Sequence, residues 1–285
     1  MPGEMESCKI CGSGNIKTKS VYGVSCCVCG DCGITYKSGM PSAGELEAYY
    51  SSQYKITSSA YALDYEATEK RRFFRLPEQY QLLSMIGQYK MPPALIADIG
   101  CDKGFFLDEA RRRGYAVTGA EPSESGRRYA GNIGIELHRS IDELPAGIDI
   151  AVMWHSLEHF TEPYDILAKI KSRLNPGGML FVRVPDFDNA WRRLFGKRWV
   201  WFQPENHYYH YNIQSLRTLL QKSGFDVMHI ERRKPNNRHT NRAYRAASPA
   251  MSAYFGLPRT LRSIVRKKYE DIVGIEIFAA ARIAE

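Results

Sequence analysis

The chain of 285 residues is 44% hydrophobic and carries a formal net charge of +8 at pH 7. This length suits one large domain or one domain with a small appendage, and the hydrophobic fraction is typical of a globular protein with a sizeable core. No apolar run reaches the roughly 18 residues of a membrane span, and the N-terminus lacks the basic and apolar regions of a secretory signal. We therefore expect neither a membrane-spanning helix nor a secretory signal.

Two Cys-x-x-Cys pairs stand near the N-terminus, at Cys8 and Cys11 and at Cys29 and Cys32. A structural zinc ion takes four ligands in a tetrahedron, and two such pairs supply four thiolates. Cys26 offers a competing pair with Cys29, but the glycine after the Cys29–Cys32 pair matches the glycine after the first pair. The sequence therefore predicts a zinc ribbon with a structural metal, because four sulfurs leave no open position.

The cysteine count also indicates the compartment. The chain has seven cysteines, an odd number, and four of them fall in the two pairs. This usage favours metal binding in a reducing compartment over a disulfide framework. A redox role for one pair is the weaker alternative, since neither pair opens a helix after a strand. We therefore expect a cytoplasmic protein.

The sequence divides into three predicted parts: a zinc ribbon over 1–40, a helical linker and cap over 41–93, and an α/β domain over 94–285. A basic insert over 231–268 lies within the last part and carries much of the positive charge. Three tyrosines after the ribbon are interpreted as docking residues between the domains: Tyr49, Tyr50 and Tyr54.

The segment "IADIGCDKGFFLDEA" predicts a strand over 94–99, a tight turn and a helix over about 104–113. Gly100 and Gly104 frame the turn, and glycine allows a ligand to approach the backbone closely. The N-terminus of the following helix favours anionic groups at the same place. The pattern is neither the G-x-G-x-x-G of dinucleotide binders nor a phosphate-binding loop that ends in Gly-Lys-Ser.

A second predicted strand ends at Glu121, and an acidic residue there can accept both ribose hydroxyls of an adenosine. The competing interpretation of Glu121 is a carboxylate that caps the next helix. Further strands alternate with helices, one with Pro163 in its first turn and one with Asn212 as N-cap and Gly224 just past its end. This alternation predicts a parallel, doubly wound sheet with its ligand at the carboxyl ends of the strands.

Four segments resemble, in order and spacing, the motifs of class I S-adenosylmethionine-dependent methyltransferases: "ADIGCDKGFFL", "GAEPS", "WHSLEHF" and "NPGGMLFVRVPD". The resemblance covers about residues 70 to 285 and implies a seven-stranded Rossmann-like sheet. The cysteine pairs and the segment "WVWFQPENHYYHYN" are similar to bacterial methyltransferases with an N-terminal zinc ribbon, many of them encoded with surface-polysaccharide or secondary-metabolite pathways. One departure is Asp102, which stands where that family usually has the middle glycine of Gly-x-Gly-x-Gly.

The resemblance implies a role for each matching residue. Asp98 would lie near the methionine amino group, Glu121 would hold the ribose, and Ser140 and Ile141 would border the adenine. The other implied cofactor contacts are Gly100, Cys101, Gly104, Trp154 and His155. The implied cofactor is S-adenosylmethionine, and the implied acceptor is a small molecule or sugar.

An oxygen or carbon acceptor needs a base to remove its proton. His159 follows the fourth predicted strand, and some relatives use a histidine at this place as the base. The competing interpretation is that His159 caps or packs against the following helix. His207 is the second candidate base. Trp199 and Trp201 are interpreted either as a stacking surface for a sugar or as ordinary packing over the pocket.

The basic segments leave the partner open. They attract anions such as nucleic acid, phosphorylated metabolites or an acidic membrane surface, or they form a solvated face with no partner. We expect a small anionic acceptor, such as a nucleotide-linked sugar or a lipid phosphate. An RNA methyltransferase is the alternative, although "MWHSLEH" is not the Asn-Pro-Pro-Tyr type of tetrapeptide that grips a base amine. A non-catalytic cofactor binder is less consistent with the complete set of Asp98, Gly100, Gly104 and Glu121.

Overall fold

The structure is a computed structural model that describes residues 7–42, 44–46, 48, 65–199, 201–233 and 276–284. Within these ranges, no helix combines the length and the apolar character needed to cross a membrane. The predicted docking tyrosines Tyr49, Tyr50 and Tyr54, and most of the basic insert, lie outside the described residues.

The N-terminal ribbon is an antiparallel sheet of three strands: β1 (Ile16–Val21), β2 (Val24–Cys29) and β3 (Thr35–Lys37). A later strand, β8 (Tyr209–His210), pairs with β3 and completes a sheet in the order β1-β2-β3-β8. The register joins Thr35 to His210 and Tyr36 to Tyr209. The ribbon is therefore hydrogen-bonded into the rest of the protein.

The main sheet has six strands in the order β5-β4-β6-β7-β10-β9. Their bounds are β4 (Leu95–Ile99), β5 (Ala116–Ala120), β6 (Ile148–Trp154), β7 (Leu174–Pro185), β9 (Phe225–Arg233) and β10 (Glu276–Ile283). The four strands from β5 to β7 are parallel, and β10 is antiparallel to both β7 and β9. The sheet is therefore mixed, whereas the alternation in the sequence predicted a parallel one.

Within the described residues, the longer connections contain the helices α1 (Tyr65–Ile86), α2 (Phe105–Arg112), α3 (Glu124–Asn132), α4 (Pro163–Arg173), α5 (Ala190–Phe195) and α6 (Ile213–Lys222). Short 3-10 turns occupy Ile141–Glu143, Leu157–His159 and Gly196–Arg198. The predicted boundary signals of α6 are present, since the Asn212 side chain accepts from the Ser215 N–H at 2.7 Å and Gly224 follows with φ +80°. Pro163 opens α4 as predicted.

Hydrophobic side chains alternate between the two faces of the sheet, as a strand with both faces buried requires. On β6, Ala151 and Met153 belong to a core with the helices α4 and α6. Ile150 and Val152 belong to a second core with α1, α2 and α3. The prediction of a doubly wound α/β fold of the methyltransferase type is thus confirmed.

The number of strands differs from the seven that the resemblance implied, because the described residues form six in this sheet. At the place of the missing strand, His138 makes a single parallel bridge to Ala120 beside β5. The chain turns away at the next residue, where the Arg139 N–H donates to the Glu143 carboxylate at 2.9 Å. The local turn therefore prevents a longer ladder.

Candidate active site

The turn after β4 leaves space against the backbone. Gly100 has φ +79°, and a Cβ there would lie 2.8 Å from Cβ of Ser156. Gly104 has φ +71° and occupies the N-cap position of α2. Asp102, at the middle position of the turn, also has positive φ, at 50°, a conformation that aspartate tolerates better than most residues. The aspartate therefore preserves the shape that a glycine would give.

Asp98 lies at the carboxyl end of β4 with 5% of its surface exposed. Its Oδ1 atom has no hydrogen-bond partner among the described residues. Burial, together with the negative charge of Glu121, raises the pKa of the Asp98 carboxyl to about 8. A cationic group beside Asp98 would supply the missing partner, and the amino group of the methionine part of S-adenosylmethionine is such a group.

Glu121 follows β5, and its carboxylate bridges two backbone segments. Oε2 accepts from the Asp102 N–H and Oε1 from the Ser123 N–H, both at 2.8 Å. The N-cap of α3 is Ser123, whose hydroxyl accepts from the Gly126 N–H. Glu121 therefore does not cap the helix, and instead ties the cofactor loop to the end of β5.

Two adjoining cavities meet at this loop. The smaller, about 70 Å³, is lined by Asp98, Cys101 and Trp154, and by Glu78 and Gln79 of α1. The larger, about 560 Å³, is lined by Glu121 on one side and by His159 on the other. Gly100 and Asp102 line both. The arrangement fits an elongated ligand with its cationic end at Asp98 and its ribose at Glu121.

The remaining predicted cofactor residues line one of these cavities or stand beside them. Ser140, Ile141 and His155 border the larger cavity. Gly104 lines neither cavity and supports the loop through its backbone. Cys101 is buried, and burial raises the pKa of its thiol well above the usual value. The lining also includes residues that the sequence analysis missed, namely Glu78, Gln79, Ser156 and Asn206.

His155 lies between two buried carboxylates. Its Nδ1 is 3.4 Å from Oε1 of Glu158, and its Nε2 is 3.2 Å from Oε1 of Glu276. Burial alone would lower the pKa of His155, but Glu276 and Glu158 outweigh it and raise the pKa to about 9. The ring stacks on Trp201 with the centroids 4.6 Å apart. The two carboxylates thus favour the protonated form of His155, a partly exposed residue at the wall of the larger cavity.

Arg183 on β7 also belongs to this group of charged side chains. The Arg183 guanidinium donates to the Glu276 carboxylate through Nε at 2.6 Å and lies 3.8 Å from Glu78. It also stacks over the Trp154 ring at 4.6 Å. Burial would raise the pKa of Glu276, but Arg183 and His155 lower it. His155 and Arg183 therefore lie among three buried carboxylates, those of Glu78, Glu158 and Glu276.

The two candidate bases of the sequence analysis meet in space. The rings of His159 and His207 are in edge contact, with centroids 4.8 Å apart. Nδ1 of His159 lies 2.8 Å from the Asn206 carbonyl oxygen, and Nδ1 of His207 lies 3.0 Å from the Trp201 carbonyl oxygen. Because a carbonyl only accepts, each Nδ1 carries a proton, and a lone pair is available on Nε2 whenever the ring is in its neutral form.

The two histidines differ in exposure to the cavity. His159 lines the larger cavity, whereas His207 is 3% exposed and lies behind it. Burial lowers the pKa of His207 to about 4. Glu158 completes the group, since ligand atoms of these three residues all lie within 4.8 Å of one another. A carboxylate with two imidazoles is also a donor set that suits a divalent cation.

The aromatic residues predicted near the acceptor divide into two roles. Trp201 stacks on His155 at the site. Trp199 is 5% exposed and packs against Phe187, with ring centroids 6.1 Å apart. Trp199 is therefore a packing residue, whereas Trp201 packs on His155, a residue of the cavity wall.

The four paired cysteines lie together in the ribbon. The Sγ atoms of Cys8 and Cys32 are 3.8 Å apart, and those of Cys11 and Cys29 are 3.5 Å apart. A tetrahedral zinc with Zn–S bonds of about 2.3 Å needs sulfurs about 3.8 Å apart. Cys26 is not part of this group of four. The cluster is thus compatible with zinc bound by the four predicted ligands.

The arginines in the described part of the basic insert form ion pairs with acidic residues of the same chain. Arg232 donates through Nε to Oδ2 of the buried Asp186 at 2.6 Å. Arg233 pairs with Glu231. The register places Arg233 opposite Glu276, and Glu276 opposite Pro185 at the end of β7. Both ends of the connection over 234–275 therefore lie at the edge of the sheet where the parallel strands end.

Comparisons with known proteins agree with this geometry. A family model described as a methyltransferase domain matches residues 69–230, more than half of the chain. The ubiquinone biosynthesis O-methyltransferase of Aeromonas salmonicida (strain A449) is 32% identical over 98 residues, which cover 30% of this chain and 41% of that protein. The corresponding enzyme of Caulobacter vibrioides is 29% identical, over 30% of this chain and 39% of that protein. The match thus spans about two fifths of these curated relatives.

Solved structures share the fold at low sequence identity. The 1,6-didemethyltoxoflavin-N1-methyltransferase of Burkholderia thailandensis, bound to its substrate and S-adenosylhomocysteine, has a TM-score of 0.55 at 16% identity and covers 88% of this chain and 96% of its own. A SAM-dependent methyltransferase from Archaeoglobus fulgidus has a TM-score of 0.54 at 19% identity, and the match covers 77% of this chain and 100% of that chain. With more than half of its length matched by the family model, the chain belongs to the methyltransferase-domain family.

Proposed function

We propose that the protein is an S-adenosylmethionine-dependent methyltransferase that acts on a small anionic molecule or sugar. The observation that carries this proposal is the position of His159 on the wall of the same 560 Å³ cavity that Glu121 and the glycine loop border. Its free Nε2 can take a proton from an acceptor oxygen or carbon. The match to two O-methyltransferases supports an acceptor of this chemical class.

The bound cofactor would supply a methyl group on an electrophilic sulfonium. The residues of this chain have only to bind the cofactor, align the acceptor with the methyl group and remove the acceptor's proton. Asp98 would hold the amino group, Glu121 the ribose, and Ser140 and Ile141 the adenine. His159 would accept the proton of the acceptor, held in position by the Asn206 carbonyl.

The function is tested by purifying the protein and measuring by mass spectrometry any nucleoside it retains. Transfer of a labelled methyl group is then screened onto nucleotide sugars, dihydroxylated aromatic acids and bulk RNA. We expect retained S-adenosylmethionine or S-adenosylhomocysteine and transfer to a small anionic acceptor. Transfer to RNA alone would support the RNA methyltransferase alternative, and failure to bind either nucleoside would contradict the proposal.

The raised pKa of Asp98 makes cofactor binding depend on pH. The carboxyl is largely protonated at pH 7 in the free protein, and a bound amino cation favours its ionised form. We therefore expect affinity for S-adenosylhomocysteine to rise from pH 6 to about 8 and then level off, with a proton released on binding. Calorimetry in buffers of different ionisation enthalpy measures that release.

Asp98→Asn is the matched variant for this prediction, since it keeps the shape and removes the titration. It should bind more weakly and without the pH dependence. The folded state of the free protein raises this carboxyl pKa, so the wild type loses stability as pH rises from about 4 to 8. The variant should therefore be the more thermally stable of the two at pH 9. An unchanged pH dependence of binding would contradict the assignment.

Replacing Glu121 by alanine should weaken S-adenosylhomocysteine binding at least about tenfold. Each hydrogen bond from a charged group to a ribose hydroxyl contributes roughly 1.5–3 kcal/mol. The change also frees the Asp102 and Ser123 N–H groups that now hold the loop. Calorimetry measures the affinity, with Glu124→Ala on α3 as the control. Equal affinity in the two variants would contradict a role for Glu121 in holding the cofactor.

A further inference from the structure

The segment that carries His207 is bound to the ribbon. Only Tyr208 separates His207 from β8, and β8 pairs with β3 of the ribbon sheet. The Lys37 N–H donates to the Tyr208 carbonyl at 3.0 Å. The Tyr36 and Tyr209 rings pack with centroids 5.4 Å apart. The position of His207 is therefore set by a neighbouring strand that belongs to the ribbon.

The loop that carries His159 is held from the same side. The Tyr208 N–H donates to the Glu158 carbonyl at 2.9 Å, and the Tyr209 hydroxyl donates to the Thr161 carbonyl at 3.2 Å. A little further along the chain, the Tyr164 hydroxyl donates to the Ile10 carbonyl, between Cys8 and Cys11. Both histidine segments thus contact the ribbon directly or through β8.

The ribbon depends on its cysteines for cohesion. Residues of β1 between its two ends are exposed, and the buried ribbon side chains are mainly cysteines with Ile10, Ile34 and Tyr36. These residues share one core with Tyr208, Tyr209 and Tyr211. A module with so small a core needs its metal to fold. The strand that positions His207 should therefore be ordered only when the four cysteines hold a metal.

The residues proposed to hold the cofactor belong to elements other than the ribbon strands, although Leu46, which follows the ribbon, lines the larger cavity. None of the residues that line the two cavities, within the described ranges, belongs to the segment 7–42. Asp98 and Glu121 lie on β4 and β5, at the end of the main sheet where β5 is the outermost strand. Their loop is held by contacts with each other, as between Glu121 and the Asp102 N–H.

We propose that the metal-bound ribbon is the scaffold of the acceptor side: it fixes β3, β3 fixes β8, and β8 fixes the His159–His207 pair. The metal would then be required for the geometry of the bases without contacting cofactor or acceptor. The inference rests on the proposed function for the role of the two histidines, but the coupling itself is a property of the fold.

The test removes the metal ligands by substitution rather than by a chelator, because the Glu158–His159–His207 group is itself a donor set for a cation. The variant is Cys8→Ser with Cys11→Ser, and the matched control is Cys26→Ala, a buried cysteine outside the cluster. Metal content is measured for each. Calorimetry measures affinity for S-adenosylhomocysteine, and NMR of ¹⁵N-histidine-labelled protein follows the Nδ1–H signals of His159 and His207.

We expect about one zinc per chain in the parent and control, and none in the double variant. The double variant should lose both Nδ1–H signals, since ordered N–H···O=C bonds protect these protons, while its affinity for S-adenosylhomocysteine stays within about threefold of the parent, a difference of under 1 kcal/mol. Unchanged histidine signals in metal-free protein, or loss of the signals and of cofactor affinity together, would overturn the proposal.

A milder variant covers the case in which the double variant does not fold. Tyr209→Phe removes only the hydroxyl that donates to Thr161, so zinc content and cofactor affinity should match the parent while the His159 signal shifts. An unshifted signal would count against the proposal. The histidine measurement needs no acceptor, so a parent protein that transfers no methyl group would contradict the proposed function and leave this test decisive.

Discussion

Replacing His159 by asparagine is expected to lower kcat by about 10²–10⁴-fold, the usual contribution of a positioned general base. Asparagine can still donate to the Asn206 carbonyl in place of Nδ1, but it has no basic nitrogen at the position of Nε2. Cofactor affinity should stay unchanged, because the residues proposed to hold the cofactor, Asp98 and Glu121, lie at the ends of other strands, β4 and β5. Turnover with the acceptor found by the methyl-transfer screen, and calorimetry with S-adenosylhomocysteine, measure the two quantities.

The matched control is His229→Asn. His229 lies on β9 with 42% of its side chain exposed, and it lines neither cavity. Its replacement should leave kcat unchanged. If His159 instead has only a packing role, its variant will lose thermal stability and keep its turnover per folded molecule. A stable and fully active His159→Asn protein would contradict both roles, and His207 would become the candidate base.

Replacing Glu276 by glutamine should reduce the free energy of unfolding by about 3–5 kcal/mol, the cost of breaking a buried ion pair by removing one partner. Glu276 is 2% exposed and contacts both Arg183 and His155. Without its charge, these two cations face each other with Glu158 and the more distant Glu78 as their remaining counter-ions. Urea denaturation of the two proteins at pH 7 measures the difference.

The same substitution should change the dependence of stability on pH. The folded protein raises the pKa of His155 from 6.5 to about 9. The resulting stabilisation is fully present below about pH 6.5 and is lost as pH rises through 9. Glu276→Gln should flatten the curve in that window. The control is Arg113→Gln, which removes a partly exposed ion pair with Glu109 on α2. It should change neither the free energy of unfolding at pH 7 nor its dependence on pH appreciably.

If Glu276→Gln is as stable as the parent, the buried charges do not depend on one another, and His155 would have to be neutral in the folded protein. NMR titration of His155 in the parent decides that point separately. A pKa below 7 would show that His155 is neutral in the folded protein at pH 7.

Much of the fold follows from local sequence signals. The strand and glycine turn at Gly100, the N-cap Asn212 and the Pro163 that opens α4 predicted their elements closely, because each depends on a few neighbouring residues. The resemblance implied seven strands, whereas the described residues form six, and beside β5 only His138 pairs, in a single bridge to Ala120. The antiparallel direction of β10 was not predicted, because it depends on pairing with β7, a strand far away in the sequence.

The site residues that directly follow a strand could be predicted from the sequence. Gly100, Glu121 and His159 each follow a strand end, and the parallel topology brings those ends together. Glu276 and Arg183 were missed because their partners are far away in the chain, and a lone glutamate before an apolar strand carries no local signal. His207 was predicted from a resemblance, whereas its contact with His159 required the pairing of β3 with β8.

The antiparallel strand β10 has a consequence for how such a protein can diversify. Its register with β7 and β9 fixes Arg233 and Glu276 side by side, so the connection between them leaves from and returns to a single point at the ligand edge. The entropic cost of closing such a loop grows only slowly with its length. Homologues could therefore differ in the length and sequence of this connection, and so in the acceptor they use, while the sheet and the turn after β4 stay the same.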